Sequence, residues 1–241
     1  MEKLLKVPTS DNKVIYGRLR GPLSQPLVIF VHGLGGIMNQ HIYYNGARFL
    51  ERNGISSFRL NLYGWEKDAR NLIECTIDTH SYDLDKVVEY FRKKGVKKIF
   101  VVGHSFGGPT ILLSKDKNFD GVILWDPSYD TPKSFEEFEY LPALDMYRVR
   151  WGIDVLIGKK MFEAKSKLRD REEKGIQKIA VPIKIITAGR GFLVWGGKRY
   201  YTLANEPKAH VVIKNADHLF DEDGAEEKLF EETIIWIKRF T

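Results

Sequence analysis

Ser105 stands in Gly103-His104-Ser105-Phe106-Gly107-Gly108, directly after the apolar run Lys98-Ile-Phe-Val-Val102. A serine becomes a nucleophile when a sharp strand-to-helix turn holds its hydroxyl out from the backbone. Such a turn needs small residues two positions before and after the serine, where a Cβ would strike the crowded chain. Gly103 and Gly107 meet that demand. Serine is un-ionised at neutral pH and needs a base. Of the six histidines, His218 in Asn215-Ala-Asp-His-Leu-Phe220 follows the last strand-like run and comes after the serine in the chain, as an order of serine, acid, histidine requires. His41, His80 and His210 fall outside that arrangement. A third element is the glycine-rich turn His32-Gly33-Leu34-Gly35-Gly36, which follows the apolar run ending Phe30-Val31. It can aim a backbone N–H at a developing oxyanion, with Leu34 and Phe106 as the expected donor pair. His32 and His104 read as braces of these turns.

Strand-like and helix-like segments alternate around these residues. Runs at Val14–Leu19, Leu27–Val31, Ile55–Leu60, Lys98–Val102, Gly121–Trp125, Ile183–Thr187 and His210–Ile213 read as strands. Leu27-Val-Ile-Phe-Val31 is apolar throughout, as expected of a strand buried on both faces. Helical spacing marks Tyr43–Arg52, Ser81–Lys94 and Gly224–Arg239, the second with Leu84, Val87, Val88 and Phe91 on one face. The repeated units predict an α/β fold: a mostly parallel central sheet with helices on both faces. In such sheets ligands bind beyond the carboxyl ends of the strands, where Ser105, His218 and the Leu34 turn all fall. One stretch breaks the rhythm. Residues 126–179 show no clear strand and set Phe135, Phe138, Tyr140, Tyr147, Trp151 and Phe162 among charges. Too long for a simple crossover, they are expected to form an inserted helical cap on a core of residues 1–125 and 180–241.

From about Leu27 onward, apart from the cap, the chain resembles an α/β-hydrolase. His32-Gly33-Leu34-Gly35-Gly36, Gly103–Gly108 and Asp217-His218 carry the resemblance. Within that family it is most similar to small serine carboxylesterases, feruloyl-type esterases and monoacylglycerol lipases, which implies acyl transfer to water through an acyl-serine. One part departs from the pattern. Such hydrolases usually carry an aspartate soon after the strand that follows the cap, and here Thr187-Ala-Gly-Arg-Gly-Phe-Leu-Val-Trp195 has no carboxylate. Asp126, directly after Gly121–Trp125, is the favoured substitute, since some hydrolase families place their acid there. Asp130 is the next candidate, Asp217 and Glu206 are disfavoured by their positions, and the absence of any acid is the remaining alternative. Arg59-Leu-Asn-Leu-Tyr-Gly64 also differs from the Asp-x-Arg-Gly phrase of many relatives, a change expected to affect loop bracing.

The chain has 241 residues, 43% hydrophobic and 29% charged, and a net charge of +6. Lysine and arginine are interleaved with acids, so no nucleic-acid surface is expected. No run approaches the roughly 20 apolar residues of a membrane span, and Met1–Lys6 lacks a signal peptide's apolar stretch. The single cysteine, Cys75, excludes an internal disulfide and suits a cytoplasmic location. The expected activity is hydrolysis of short-to-medium acyl or aromatic esters by a monomer or homodimer that needs no cofactor or metal, with Phe192, Trp195 and Trp151 lining an apolar pocket. The alternatives are a non-catalytic binding protein on the same fold, or a thioester, amide or C–C hydrolase using the same residues.

Overall fold

A computed structural model describes residues 2–130, 136–151 and 153–241. Phe135, one of the expected cap aromatics, lies outside the described residues. In chain order the main elements are β1 (Glu2–Pro8), β2 (Val14–Arg20), β3 (Leu27–Val31), α1 (His41–Arg52), β4 (Ser56–Leu60), α2 (Ile77–Lys93), β5 (Ile99–His104), α3 (Gly107–Leu112) and β6 (Gly121–Trp125). They continue with β7 (Phe138–Leu141), β8 (Met146–Arg150), β9 (Asp154–Gly158), α4 (Lys159–Ser166), α5 (Leu168–Gln177), β10 (Ile183–Ala188), α6 (Val194–Leu203), β11 (Lys208–Ile213) and α7 (Ala225–Arg239).

Eight strands form one sheet in the order β1-β2-β4-β3-β5-β6-β10-β11. Only the β1–β2 and β2–β4 pairs are antiparallel. The strands β3, β4, β5, β6 and β10 are buried along their whole length. That is why β3, β5 and β6 carry largely apolar runs rather than alternating ones, while β4 also buries Ser56, Ser57 and Arg59 and β10 buries Lys184 and Thr187. One apolar cluster, including Leu84, Val87 and Phe91 of α2, covers one face. Another, including Tyr43 of α1 and Leu229, Phe230 and Ile237 of α7, covers the other. Helix α2 begins at Ile77, four residues before the helix expected from Ser81. A reciprocal pair of hydrogen bonds between Thr76 and Thr79 closes its first turn.

The inserted stretch differs from the helical cap expected of it. Its first half forms a second, three-stranded antiparallel sheet, β7-β8-β9, and among its described residues only α4 and α5 are helical. The β7–β8 pairing sets Tyr140 opposite Tyr147 and Glu139 opposite Arg148, cross-strand pairs of the kind that stabilise short antiparallel strands. Val149, Val155 and Ile157 pack with Met161 and Leu168 against Phe106 and Leu34 of the main body. Among the described residues no helix is long and apolar enough to cross a membrane.

Candidate active site

Parallel strands β3, β5, β6 and β10 end on one edge of the sheet, and the residues just past those ends gather there. Ser105 follows β5 with φ 55°, a left-handed conformation that turns the chain into α3. Its N–H donates to the Trp125 carbonyl at 3.0 Å. A Cβ on Gly103 would stand 2.5 Å from the Gly107 carbonyl oxygen, and one on Gly107 only 2.1 Å from that of Val31. Neither contact can be accommodated, since both strike backbone. The glycine spacing therefore follows from how closely the elbow passes β3.

Asp126 is fully buried at the end of β6, also at positive φ (37°). Its Oδ1 accepts from the Ala188 N–H at 3.0 Å, and its Oδ2 meets His218 Nδ1 at 2.7 Å. A carboxylate accepts, so Nδ1 donates here, which in the neutral ring leaves the lone pair on Nε2. His218 is part-exposed, with 39% of its side-chain surface open. Its ring lies 4.6 Å from that of His104, the residue preceding the serine. Among the described residues no hydrogen bond joins Ser105 to His218. The other acids point elsewhere. Asp130 pairs with Lys165, while Asp217 accepts from the Leu219 N–H at 3.0 Å. Glu206 accepts from the Lys208 N–H at 2.9 Å, at the start of β11 and hence the far end of the sheet.

The glycine-rich turn after β3 is held by His32. Its Nε2 accepts from the Leu62 N–H at 3.0 Å, and its Nδ1 donates to the Gly33 carbonyl at 2.8 Å. Burial pushes its pKa down to about 4, so the ring braces the turn as a neutral imidazole. Asn61 accepts from the Met38 N–H at 2.7 Å. The departure at Arg59–Gly64 thus bears on loop bracing, as its position suggests. Neither the Leu34 N–H nor the Phe106 N–H donates to a protein acceptor among the described residues. Leu34 is half-buried and Phe106 buried, both against the inserted segment.

The three aromatic residues expected to bind substrate are all exposed: Phe192 at 85%, Trp195 at 54% and Trp151 at 46%. Phe192 follows Gly191, where a Cβ would stand 3.6 Å from Asp126 Oδ2. Trp195 packs edge-on against Tyr129 at 5.1 Å. Trp151 donates to Glu137 at 2.8 Å and packs edge-on against Phe138 at 5.9 Å, a residue that adjoins the cluster around Phe106. An open groove of about 780 Å³ lies elsewhere, lined by Lys6, Asp11, Lys13, Tyr16 and Asp68, and holds neither serine nor histidine. Beyond the bracing role expected of it, His104 joins the base loop directly through the His218 carbonyl, a contact that no residue type in that loop signals.

The α/β hydrolase fold family matches residues 26–154. No curated protein matches the chain significantly. Among solved structures, the Est1E protein of Butyrivibrio proteoclasticus, with ferulic acid bound, aligns over 97% of this chain and 99% of its own. Its TM-score is 0.79 and its sequence identity 19%. The α/β hydrolase GrgF of Penicillium sp. sh18 aligns over 100% and 99% with TM-score 0.80 and 18% identity. A monoacylglycerol lipase of Paleococcus ferrophilus aligns over 94% and 99% with TM-score 0.75, also at 18%. Likeness at such identities speaks to the fold alone. The family match covers more than half of the chain and agrees with its sheet and elbow, so the chain belongs to the α/β-hydrolase fold family.

Proposed function

We propose that this protein is a serine hydrolase that cleaves carboxylic esters with short-to-medium acyl or aromatic groups. The observation that carries the reading is the 2.7 Å contact of Asp126 with His218 Nδ1, on the sheet edge where the Ser105 elbow emerges. In this reading Ser105 Oγ attacks the ester carbonyl carbon and His218 Nε2 takes its proton. Asp126 holds the tautomer and stabilises the imidazolium. The Leu34 and Phe106 N–H groups receive the oxyanion, each donor worth roughly 2.7–4 kcal/mol by precedent. His218 then protonates the departing alcohol, and a water activated by the same ring releases the acid. Every step uses side chains and backbone N–H groups of this chain. Phe192, Trp195 and Trp151 supply apolar surface for the acyl or aryl group, and the inserted segment forms the wall beside Leu34.

The test is hydrolysis of p-nitrophenyl acetate and butyrate by the wild type, Ser105→Ala and His218→Ala. Both variants are expected to lose about 10³-fold or more in kcat. Equal rates in all three would overturn the reading in favour of a ligand-binding protein on a hydrolase fold. Faster turnover of matched thioesters, amides or carbon–carbon substrates would move the reaction class while keeping the residues.

A further inference from the structure

Ser105 and His218 belong to turns far apart in the chain, yet a single side chain spans them. His104, buried to 4% exposure, approaches the backbone carbonyl of His218 with Nε2 at 2.8 Å. A carbonyl can only accept, so Nε2 carries the ring proton and Nδ1 is an acceptor. The buried Tyr43 hydroxyl of α1 lies 3.1 Å from that Nδ1 and donates to it. The pairing leaves one tautomer available, and burial pushes the His104 pKa down to about 3, which keeps the ring neutral. The His104 and His218 rings also overlap at 4.6 Å with 31° between their planes.

His218 is thus held at two points: its ring by Asp126 and its backbone by His104. Asp126 alone leaves the ring free to pivot about Nδ1. Anchoring the carbonyl fixes the Cα as well, and so the direction in which Nε2 faces. We propose that His104 is a positioning residue, which sets His218 against the neighbouring Ser105 through its Nε2–H and its packed, tilted ring. This rests on the esterase reading for its kinetic consequences, while the geometry it describes is independent of substrate.

Three variants test it on the full chain: His104→Phe keeps a ring but no donor, His104→Gln restores a donor, and Tyr43→Phe removes the hydroxyl that sets the tautomer. His104→Phe is expected to lower kcat by roughly 10- to 100-fold, since an ångström of misplacement costs up to about 10²-fold, with KM within about twofold. His104→Gln should recover most of that loss, and Tyr43→Phe should fall between. The downfield proton resonance of His218 Nδ1–H, read without substrate, should shift or broaden in His104→Phe and return in His104→Gln. Unchanged kcat and an unchanged resonance in His104→Phe would overturn the proposal. So would equal losses in His104→Phe and His104→Gln. If no variant, Ser105→Ala included, changes ester hydrolysis, the esterase reading fails and the resonance alone decides. Should His104→Phe not fold, Tyr43→Phe decides by the same two measurements.

Discussion

At the scale of single residues, the claim with most at stake is the acid. Both carboxylate oxygens of Asp126 are engaged, Oδ1 by the Ala188 N–H and Oδ2 by His218. Asp126→Asn preserves the shape but offers His218 an amide, which favours the wrong tautomer. Its kcat should fall by about 10⁴, following the serine-protease precedent. Asp217→Asn, whose carboxylate only closes its own turn, should stay within a few-fold of wild type. Near-wild-type turnover in Asp126→Asn on p-nitrophenyl butyrate would refute the assignment. Much of this was legible in the sequence. The absence of any carboxylate between Ala188 and Asn205 forces attention to another strand end, and Asp126 is the acid that directly follows one. The His104 contact was not legible, because a backbone carbonyl carries no residue-type signal. Its partner, the 216–220 turn, is brought near only by the sheet.

At the scale of elements, the central strands β3, β5 and β6 could be read because burial on both faces leaves a largely apolar run. The second sheet could not. Its strands are four or five residues long and mostly part-exposed, and Glu139, Arg148 and Asp154 stabilise them across the surface. Charged residues in an aromatic setting read equally well as helix. Edge strand β1 was missed for a related reason, since Glu2, Lys3 and Lys6 mask its pairing with β2. What the second sheet does for the site can be tested at Gly35, which has φ 75° and faces Val155. A Cβ there would stand 2.7 Å from Val155 Cγ2. Gly35→Ala should cost about 1–2 kcal/mol for the left-handed backbone, and about 1–3 kcal/mol more for overpacking. Adding Val155→Ala should recover the second part and leave the first. Urea midpoints of the two single variants and the double variant give the coupling. Additive losses would mean that the second sheet does not press on the Leu34 turn.

At the scale of the whole molecule, its buried ionisable groups oppose one another. His32, His80 and His104 are buried, and burial lowers their pKa values to about 4, 3 and 3. Unfolded, each returns to about 6.5. Below that value the unfolded chain takes up protons that the native state refuses, so stability is lost as pH falls from about 6.5 towards 4. Glu172 acts in the other direction: burial first, and Asp130 next, raise its pKa to about 8. The native state holds that proton when the unfolded chain has released it at about 4.3. Stability is therefore lost as pH rises between those values, fully so above the native one. The two effects predict a stability maximum close to neutral pH, bounded on the acid side by histidines and on the alkaline side by Glu172. His80 offers the cleanest separation, because neither ring nitrogen has a partner among the described residues. His80→Leu forfeits no hydrogen bond there and removes one of the three protonation costs. At pH 5 that cost is about 2 kcal/mol, from 1.5 units below the unfolded pKa at about 1.36 kcal/mol each. The melting temperature of His80→Leu relative to wild type should thus rise by roughly 4–8 °C between pH 7.5 and pH 5. Glu172→Gln should show the opposite pattern, gaining on wild type from pH 5 to pH 9. Parallel pH profiles for wild type and both variants would show that these groups exchange their protons with solvent as freely in the fold as in the unfolded chain.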